Sequence, residues 1–217
     1  MFTKIDMATW ARKPYFDYYI NKITARYQLT VQADITEFLK IRRAYNKKMY
    51  PTIMYAVTSA INRHDEFRLS YDENGNLGIY DTLSPSYTIF HEDDHTFSDI
   101  WTEWDFDFKN FYDAVQSDMA TYKNAKGIKA KSNAPSNIYP ISMLPWLSFS
   151  GYAIDTSVVS HLFTPIVTIG KYYEDAGCCK IPLAVYVNHA VADGYHTSML
   201  IEDIILTLNR AEEWIVK

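Results

Sequence analysis

Alternating apolar and polar positions in LTVQADI, residues 29–35, predict a half-buried strand. Thr36 is placed to cap a helix, and EFLKIRRAYNKKMY then sets Phe38, Ile41, Ala44 and Tyr45 on one helical face. Pro51 suits the first turn of a second helix, TIMYAVTSAINRH, which is apolar nearly all round and so should be buried. FRLSYDENGNLGIYD reads as a hairpin, with Asn74 and Gly75 supplying positive-φ turn residues. YTIFH, 87–91, predicts another strand, and DFKNFYDAVQSDMATYK an amphipathic helix with a charged outer face. NAKGIKAKSNAPSN, 124–137, has little apolar content and reads as a mobile surface loop. Pro140 and Pro145 cut YPISMLPWLSFSGYAI into short extended pieces. FTPIVTIGKYY and KIPLAVYVNH predict two strands joined by EDAGCC. HTSMLIEDIILTLNRAEEW closes the chain as a helix whose Met199, Leu200, Ile204, Ile205 and Leu208 fit against a sheet.

Strands mixed with separated helices argue for the α/β class, in the form of an α+β sandwich: a mixed β-sheet with helices packed mainly on one side. No internal repeat or linker divides the chain, so one domain over residues 1–217 is expected.

Composition narrows the function classes. A hydrophobic share of 48% against 22% charged residues suffices for a buried core. A formal net charge of -5, with no long basic block, argues against nucleic acid and against an anionic membrane surface. No apolar stretch is long enough to span a bilayer, and MFTKIDMATWARK lacks the apolar core of a signal peptide. The only cysteines, Cys178 and Cys179, are adjacent and offer no disulfide framework. A cytoplasmic location is therefore expected. The 18 tyrosines point to aromatic pockets or interfaces in which a ring packs while its hydroxyl stays hydrogen-bonded.

Several chemistries find weak footing. His91 and His95, with Asp93 and Asp94 between them, are the nearest approach to a metal site, but HExxH and CxxC are both absent and no metal is expected. SFSGY does not restore a GxSxG nucleophile elbow. Nothing beside Cys178 and Cys179 guarantees the electropositive setting of a reactive thiol, and no glycine-rich phosphate loop appears. VNHAVADGYHTS, 187–198, is more informative. It sets His189 at the end of an apolar strand and Asp193 four residues later, just before a helix. An imidazole near neutral pH can take a proton from a hydroxyl and return it, provided its ring is held still. Asp193 could rigidify that corner by pairing with a distant arginine, or it could simply cap the helix beside a histidine at the rim of the core.

VNHAVADGYH resembles the HHxxxDG stretch of the chloramphenicol acetyltransferases, trimeric acetyl-CoA-dependent antibiotic-resistance enzymes. The resemblance extends through FTKIDMATWARKPYFDYY, MYPTIMYAVTSAINRHDEFR, YTIFHEDDHTFS, ISMLPWLSF and FTPIVTIGKYY in the family's order, with 124–137 the loosest part. HxxxDG alone is shared with the acyltransferase cores of 2-oxo acid dehydrogenase complexes, whose lipoyl and subunit-binding domains this chain has no room for. The resemblance implies a CoA-dependent acyltransferase fold and acetyl transfer from acetyl-CoA, as co-substrate, to a hydroxyl of chloramphenicol or a similar small molecule. His189 matches the general base, and Ser142 matches the serine that stabilises the oxyanion. Asp193 and Arg12 match a buried ion pair that holds the corner. Transfer would be direct, in a ternary complex, within a homotrimer whose sites lie between subunits.

For the acceptor pocket, the resemblance points to Tyr19, Phe97 and Thr168 as matching in kind. Tyr18, Tyr27 and Tyr152 stand where the family commonly has phenylalanine, Ile154 where it has leucine and Thr156 where it has valine. Each changes polarity or shape, so a different hydroxyl acceptor, or a trimeric binding module without catalysis, stays in view. Asn188 and Ala192 replace a histidine and a cysteine with modest expected effect. Lys171 and Tyr172 lie where the family lines its CoA channel, although an exposed strand end reads nearly as well.

Overall fold

Pairing around the longest strand organises the main sheet. The computed structural model describes residues 1–156 and 161–216. In chain order it runs β1 (Phe2–Lys4), α1 (Lys13–Asn21), β2 (Arg26–Asp34), α2 (Thr36–Ala44), α3 (Met49–Ile61), β3 (Leu69–Tyr71), β4 (Leu77–Tyr80), β5 (Ser84–His91) and β6 (Thr96–Trp101). Then follow α4 (Phe108–Thr121), β7 (Ile138–Met143), β8 (Ile166–Ile169), β9 (Tyr173–Asp175), β10 (Cys178–Asn188), α5 (Gly194–Asn209) and α6 (Glu212–Ile215). The large sheet has the order β2-β10-β8-β7-β5-β6, with β9 also paired to β10, and a small sheet has the order β1-β4-β3. The β5–β7 and β7–β8 pairs are parallel and the others antiparallel, giving the mixed sheet expected.

Side chains alternate between sheet faces, so register assigns each residue a side. Leu183, Val185, Val167, Ile141 and Tyr87 fall on one face and are buried. The helices cover that face: Ile53 and Val57 of α3 and Ile204 and Leu208 of α5 meet Ala33, Ile169, Ile181 and Leu183 around one small apolar void. The opposite face carries Ser142, Thr168, Ala184 and Tyr186 in adjacent register positions. Over β2 the irregular segment after β7 crosses this face, with Gln32 Nε2 donating to the Phe149 carbonyl at 2.9 Å and Gln28 to that of Tyr152. Helices mainly on one side is thus the observed arrangement.

Several local expectations need correction. Thr36 does not cap α2; it is the helix's first residue, and Asp34 Oδ1 accepts from its backbone N–H at 2.9 Å. Phe38 and Leu39 form the buried face of α2, whereas Ala44 and Tyr45 are exposed because the helix ends there. In the β3–β4 hairpin only Gly75 has positive φ; Asp72 holds the turn by accepting from the backbone N–H groups of Asn74 and Asn76. EDAGCC is not a plain link: its Glu174 and Asp175 end a short strand, β9, and its Cys178 and Cys179 begin β10, with the turn at Ala176 and Gly177, both at positive φ. The 124–137 loop is irregular but tied down: Lys126 pairs with Asp93 and Asp94, Lys129 with Asp99, and Lys131 with Asp118.

Candidate functional site

His189 follows β10 directly, and its backbone N–H donates to the Ala25 carbonyl just before β2 at 3.0 Å. The chain then turns through Ala190, Val191 and Ala192, all fully buried, into α5. Arg12, immediately before α1, closes this corner from outside. Its Nη2 donates to the His189 carbonyl at 3.0 Å, its Nε to the Ala190 carbonyl at 3.0 Å, and its Nη1 to Asp193 Oδ2 at 3.3 Å. One guanidinium thereby fixes three points around the turn, which its planar fork of donors allows and an ammonium would not.

The resemblance implied a buried ion pair; the structure gives a half-buried one, since the Asp193 side chain is 39% exposed against 13% for Arg12. Water screens such a pair, so its weight lies in geometry more than in Coulomb energy. Burial works against the Asp193 charge, but hydrogen bonds from His196 and Arg12, with the adjacent guanidinium charge, outweigh it and hold the carboxyl below its ordinary value of 3.8.

Aromatic rings confine the imidazole. Tyr19 of α1 stacks on His189 with centroids 4.0 Å apart and planes 13° apart, and Tyr27 of β2 meets it edge-on at 5.1 Å. Tyr18 packs edge-on against Tyr19 at 5.2 Å and is itself exposed. His189 Nδ1 is buried with no hydrogen-bond partner, which leaves Nε2 as the nitrogen able to meet a substrate. The Tyr27 hydroxyl lies 2.6 Å from Thr197 Oγ1; burial raises its pKa, and the Thr197 hydrogen bond offsets part of that rise.

Next to this corner opens a cleft of about 400 Å³, lined by Arg26, Tyr27, Gln28 and Tyr186 from the strands and Ile154 and Asp155 from the crossing segment. That volume suits a small molecule. Tyr152 contributes its carbonyl to Gln28, and its ring packs 5.6 Å from Phe149. The Thr156 hydroxyl bonds to that of Tyr186.

The remaining sequence-predicted residues lie elsewhere in the chain. Ser142 sits opposite Thr168, and Thr168 opposite Ala184, five residues before His189. At about 3.3 Å per residue this separates Ser142 from His189 by roughly 17 Å along the strands, beyond the reach of both side chains. Phe97 stands on β6 at the far sheet edge, opposite Phe90, and register puts both on the same face as Ser142. Phe97 is 53% exposed, and Phe90 meets the exposed Trp146 edge-on at 4.6 Å. Lys171 and Tyr172 follow β8 and are exposed; the Lys171 backbone N–H donates to the Leu147 carbonyl at 2.9 Å. The site residues thus form two groups: the His189 corner with its cleft, and a sheet face bearing Ser142, Thr168 and Phe97.

The other candidates have structural partners. His91 is buried with Nε2 2.8 Å from Ser98 Oγ, and His95 occupies a positive-φ turn. Among the described residues no cluster of three or more metal-ligating side chains occurs, and no helix is long and apolar enough to cross a membrane. A hydrogen bond to Asp34 raises the Cys178 thiol, the reverse of activation. Sequence reasoning missed Arg26, Gln28 and Tyr186 in the cleft and His196 beside Asp193. Only His196 left a signal, standing three residues after a helix-capping aspartate.

Comparison with known proteins places the family and the fold. Residues 1–205 match the family model described as chloramphenicol acetyltransferase. A chloramphenicol acetyltransferase of Campylobacter coli is 43% identical over 209 residues, 96% of this chain and 99% of its own. Among solved structures, one chloramphenicol acetyltransferase superposes with a TM-score of 0.83 at 21% identity, covering 96% of this chain and all of that one. A dihydrolipoamide acetyltransferase of Azotobacter vinelandii superposes at 0.69 and 15% identity over 88% of this chain and 84% of its own, a likeness of fold alone.

Proposed function

This chain belongs to the chloramphenicol acetyltransferase family, and we propose that it transfers acetyl from acetyl-CoA to a hydroxyl of chloramphenicol or a similar small molecule. The observation carrying this reading is the His189 corner: an imidazole stacked on Tyr19 with its Nδ1 buried, held by Arg12 through its main chain, and packed against Tyr27, which lines a small-molecule cleft.

In the proposed reaction His189 Nε2 takes the proton of the acceptor hydroxyl as its oxygen attacks the thioester carbonyl carbon. The carbonyl oxygen becomes an oxyanion, and the Ser142 hydroxyl donates to it. Collapse breaks the carbon–sulfur bond, and the departing CoA sulfur recovers the proton from His189. The products are an acetyl ester and CoA thiol, with no acyl-enzyme. A positioned donor of this kind contributes about 3 kcal/mol to lowering the barrier.

The 17 Å or so between Ser142 and His189 within one chain favours a site completed by two chains. A homotrimer would supply Ser142, Thr168 and Phe97 of one chain to the His189 corner of the next. Lys171 and Tyr172 would then flank the CoA path, with Tyr18, Tyr19, Tyr27, Tyr152, Ile154 and Thr156 around the acceptor. The reading needs no metal, treats the chain as one domain and fits a cytoplasmic enzyme.

The deciding experiment follows CoA thiol release with acetyl-CoA and chloramphenicol, for wild type and His189→Ala. Loss of turnover in the variant supports the proposal; equal rates remove His189 as base. Slow turnover of chloramphenicol beside fast turnover of another alcohol in an acceptor screen would keep the chemistry and change the substrate.

A further inference from the structure

We propose that His196 is a positioning residue for the His189 base, acting through Asp193 and Arg12; the inference rests on the acetyl-transfer reading above. His196 lies in the first turn of α5 and directs both ring nitrogens at carboxylates. Its Nδ1 is 2.7 Å from Asp193 Oδ1, an ionised carboxylate oxygen that can only accept, and 3.4 Å from the Asp193 backbone nitrogen; its Nε2 is 3.7 Å from Glu66 Oε1 in the short turn after α3. Asp193 uses its other oxygen, Oδ2, for Arg12 Nη1. Two donors on opposite oxygens fix the plane of that carboxylate. Arg12 then has one orientation in which it reaches Asp193 and the carbonyls of His189 and Ala190 together.

A continuous polar series therefore runs Glu66, His196, Asp193, Arg12 and the His189 carbonyl. Its first four side chains come from three separate parts of the chain, Asp193 and His196 sharing the start of α5, and only Arg12 touches the base. Without the Nδ1 donor, Asp193 can rotate about its terminal bond, Arg12 loses a fixed anchor, and the turn carrying His189 loosens. A base displaced by a fraction of an ångström transfers protons less well although substrate still binds.

The test compares His196→Asn, whose amide nitrogen reaches the place of Nδ1, with His196→Leu and His196→Gln. Leucine has no donor, and the glutamine amide reaches the place of Nε2 instead. His196→Leu and His196→Gln should lower kcat roughly tenfold to a hundredfold with the acetyl-CoA KM changed by less than about twofold, while His196→Asn keeps most of kcat. The ligand-free protein with labelled histidine gives a readout independent of turnover. The His189 ring resonance should broaden or shift in the leucine and glutamine variants and stay near wild type in His196→Asn.

Wild-type kcat and an unmoved His189 resonance in whichever of the leucine and glutamine variants folds would overturn the proposal. So would a folded His196→Asn as impaired as His196→Gln. If His189→Ala proved as active as wild type, the acetyl-transfer reading would fail on that result alone, and the His189 resonance would still decide whether His196 orders the ring.

Discussion

Arg12 donates to the backbone carbonyl of His189 at 3.0 Å, so the residue that closes the corner grips the proposed base by its main chain. The same guanidinium reaches Ala190 and Asp193. In the proposed reaction, alignment of His189 and local stability are coupled through one side chain.

Arg12→Lys keeps the charge and loses the fork. A lysine ammonium cannot reach all three acceptors in this geometry. The variant should lose about 1.5–3 kcal/mol of stability, the range for hydrogen bonds to charged groups. Its kcat should fall more than its acetyl-CoA KM rises. Thermal melts and steady-state kinetics check both, and an unchanged melting temperature would contradict the clamp.

Separation of Ser142 from His189 makes a prediction about assemblies. Ser142→Ala alone should lower kcat by about a hundredfold to a thousandfold. His189→Ala alone should be near inactive. Co-assembled in equal amounts, the two should regain activity, since some sites then draw His189 from one chain and Ser142 from its neighbour. Random assortment gives each site an even chance of either chain, so about a quarter of wild-type activity is expected from a cyclic assembly. No recovery in a verified mixed assembly would place both residues in one chain.

The strands around the site were legible in the sequence, β2 by its alternation and β10 by its continuous apolar run. KIPLAVYVN is apolar on both faces, being covered by helices on one side and by the crossing segment on the other, and it forms β10. Helix α1, which carries Tyr18 and Tyr19, was not legible as a helix. KPYFDYYIN is crowded with aromatics that favour strands elsewhere, and it buries only Phe16 completely, so no apolar stripe marks it; Pro14 near its start was the available cue. The grouping of site residues was hidden for another reason. Whether Ser142 and His189 meet depends on register across β7, β8 and β10, which local periodicity does not encode.

Tyr27 and Thr156 looked, from the sequence, like hydroxyls added to an acceptor pocket. Instead Tyr27 bonds to Thr197 and Thr156 to Tyr186, so both hydroxyls are already engaged. Tyr27→Phe should therefore cost about 0.5–1.5 kcal/mol of stability and leave the acceptor KM almost unmoved. A tenfold or larger shift in acceptor preference, read from competing substrates, would mean that the Tyr27 hydroxyl leaves Thr197 for the ligand.

Acid sensitivity gives a check that needs no substrate. Arg63, just after α3, holds Asp203 of α5 by two 2.9 Å hydrogen bonds, and His64 Nε2 lies 3.2 Å away. Burial opposes the Asp203 charge, yet the Arg63 hydrogen bonds and charge, with His64, overcome it and lower the carboxyl below its ordinary value of 3.8. A carboxyl depressed in the folded state binds fewer protons than it does unfolded. Its contribution is complete above 3.8 and is lost as the pH falls through the lowered folded value. Asp193 behaves in the same sense. Because Arg63 is partly exposed, Asp203→Asn should cost no more than about 1 kcal/mol near neutral pH. The variant should then lose less stability than wild type as the pH is lowered from about 6 to about 3, so the two melting curves converge. Parallel acid limbs in the two proteins would show that the Asp203 proton affinity is the same folded and unfolded, and that Arg63 does not hold it.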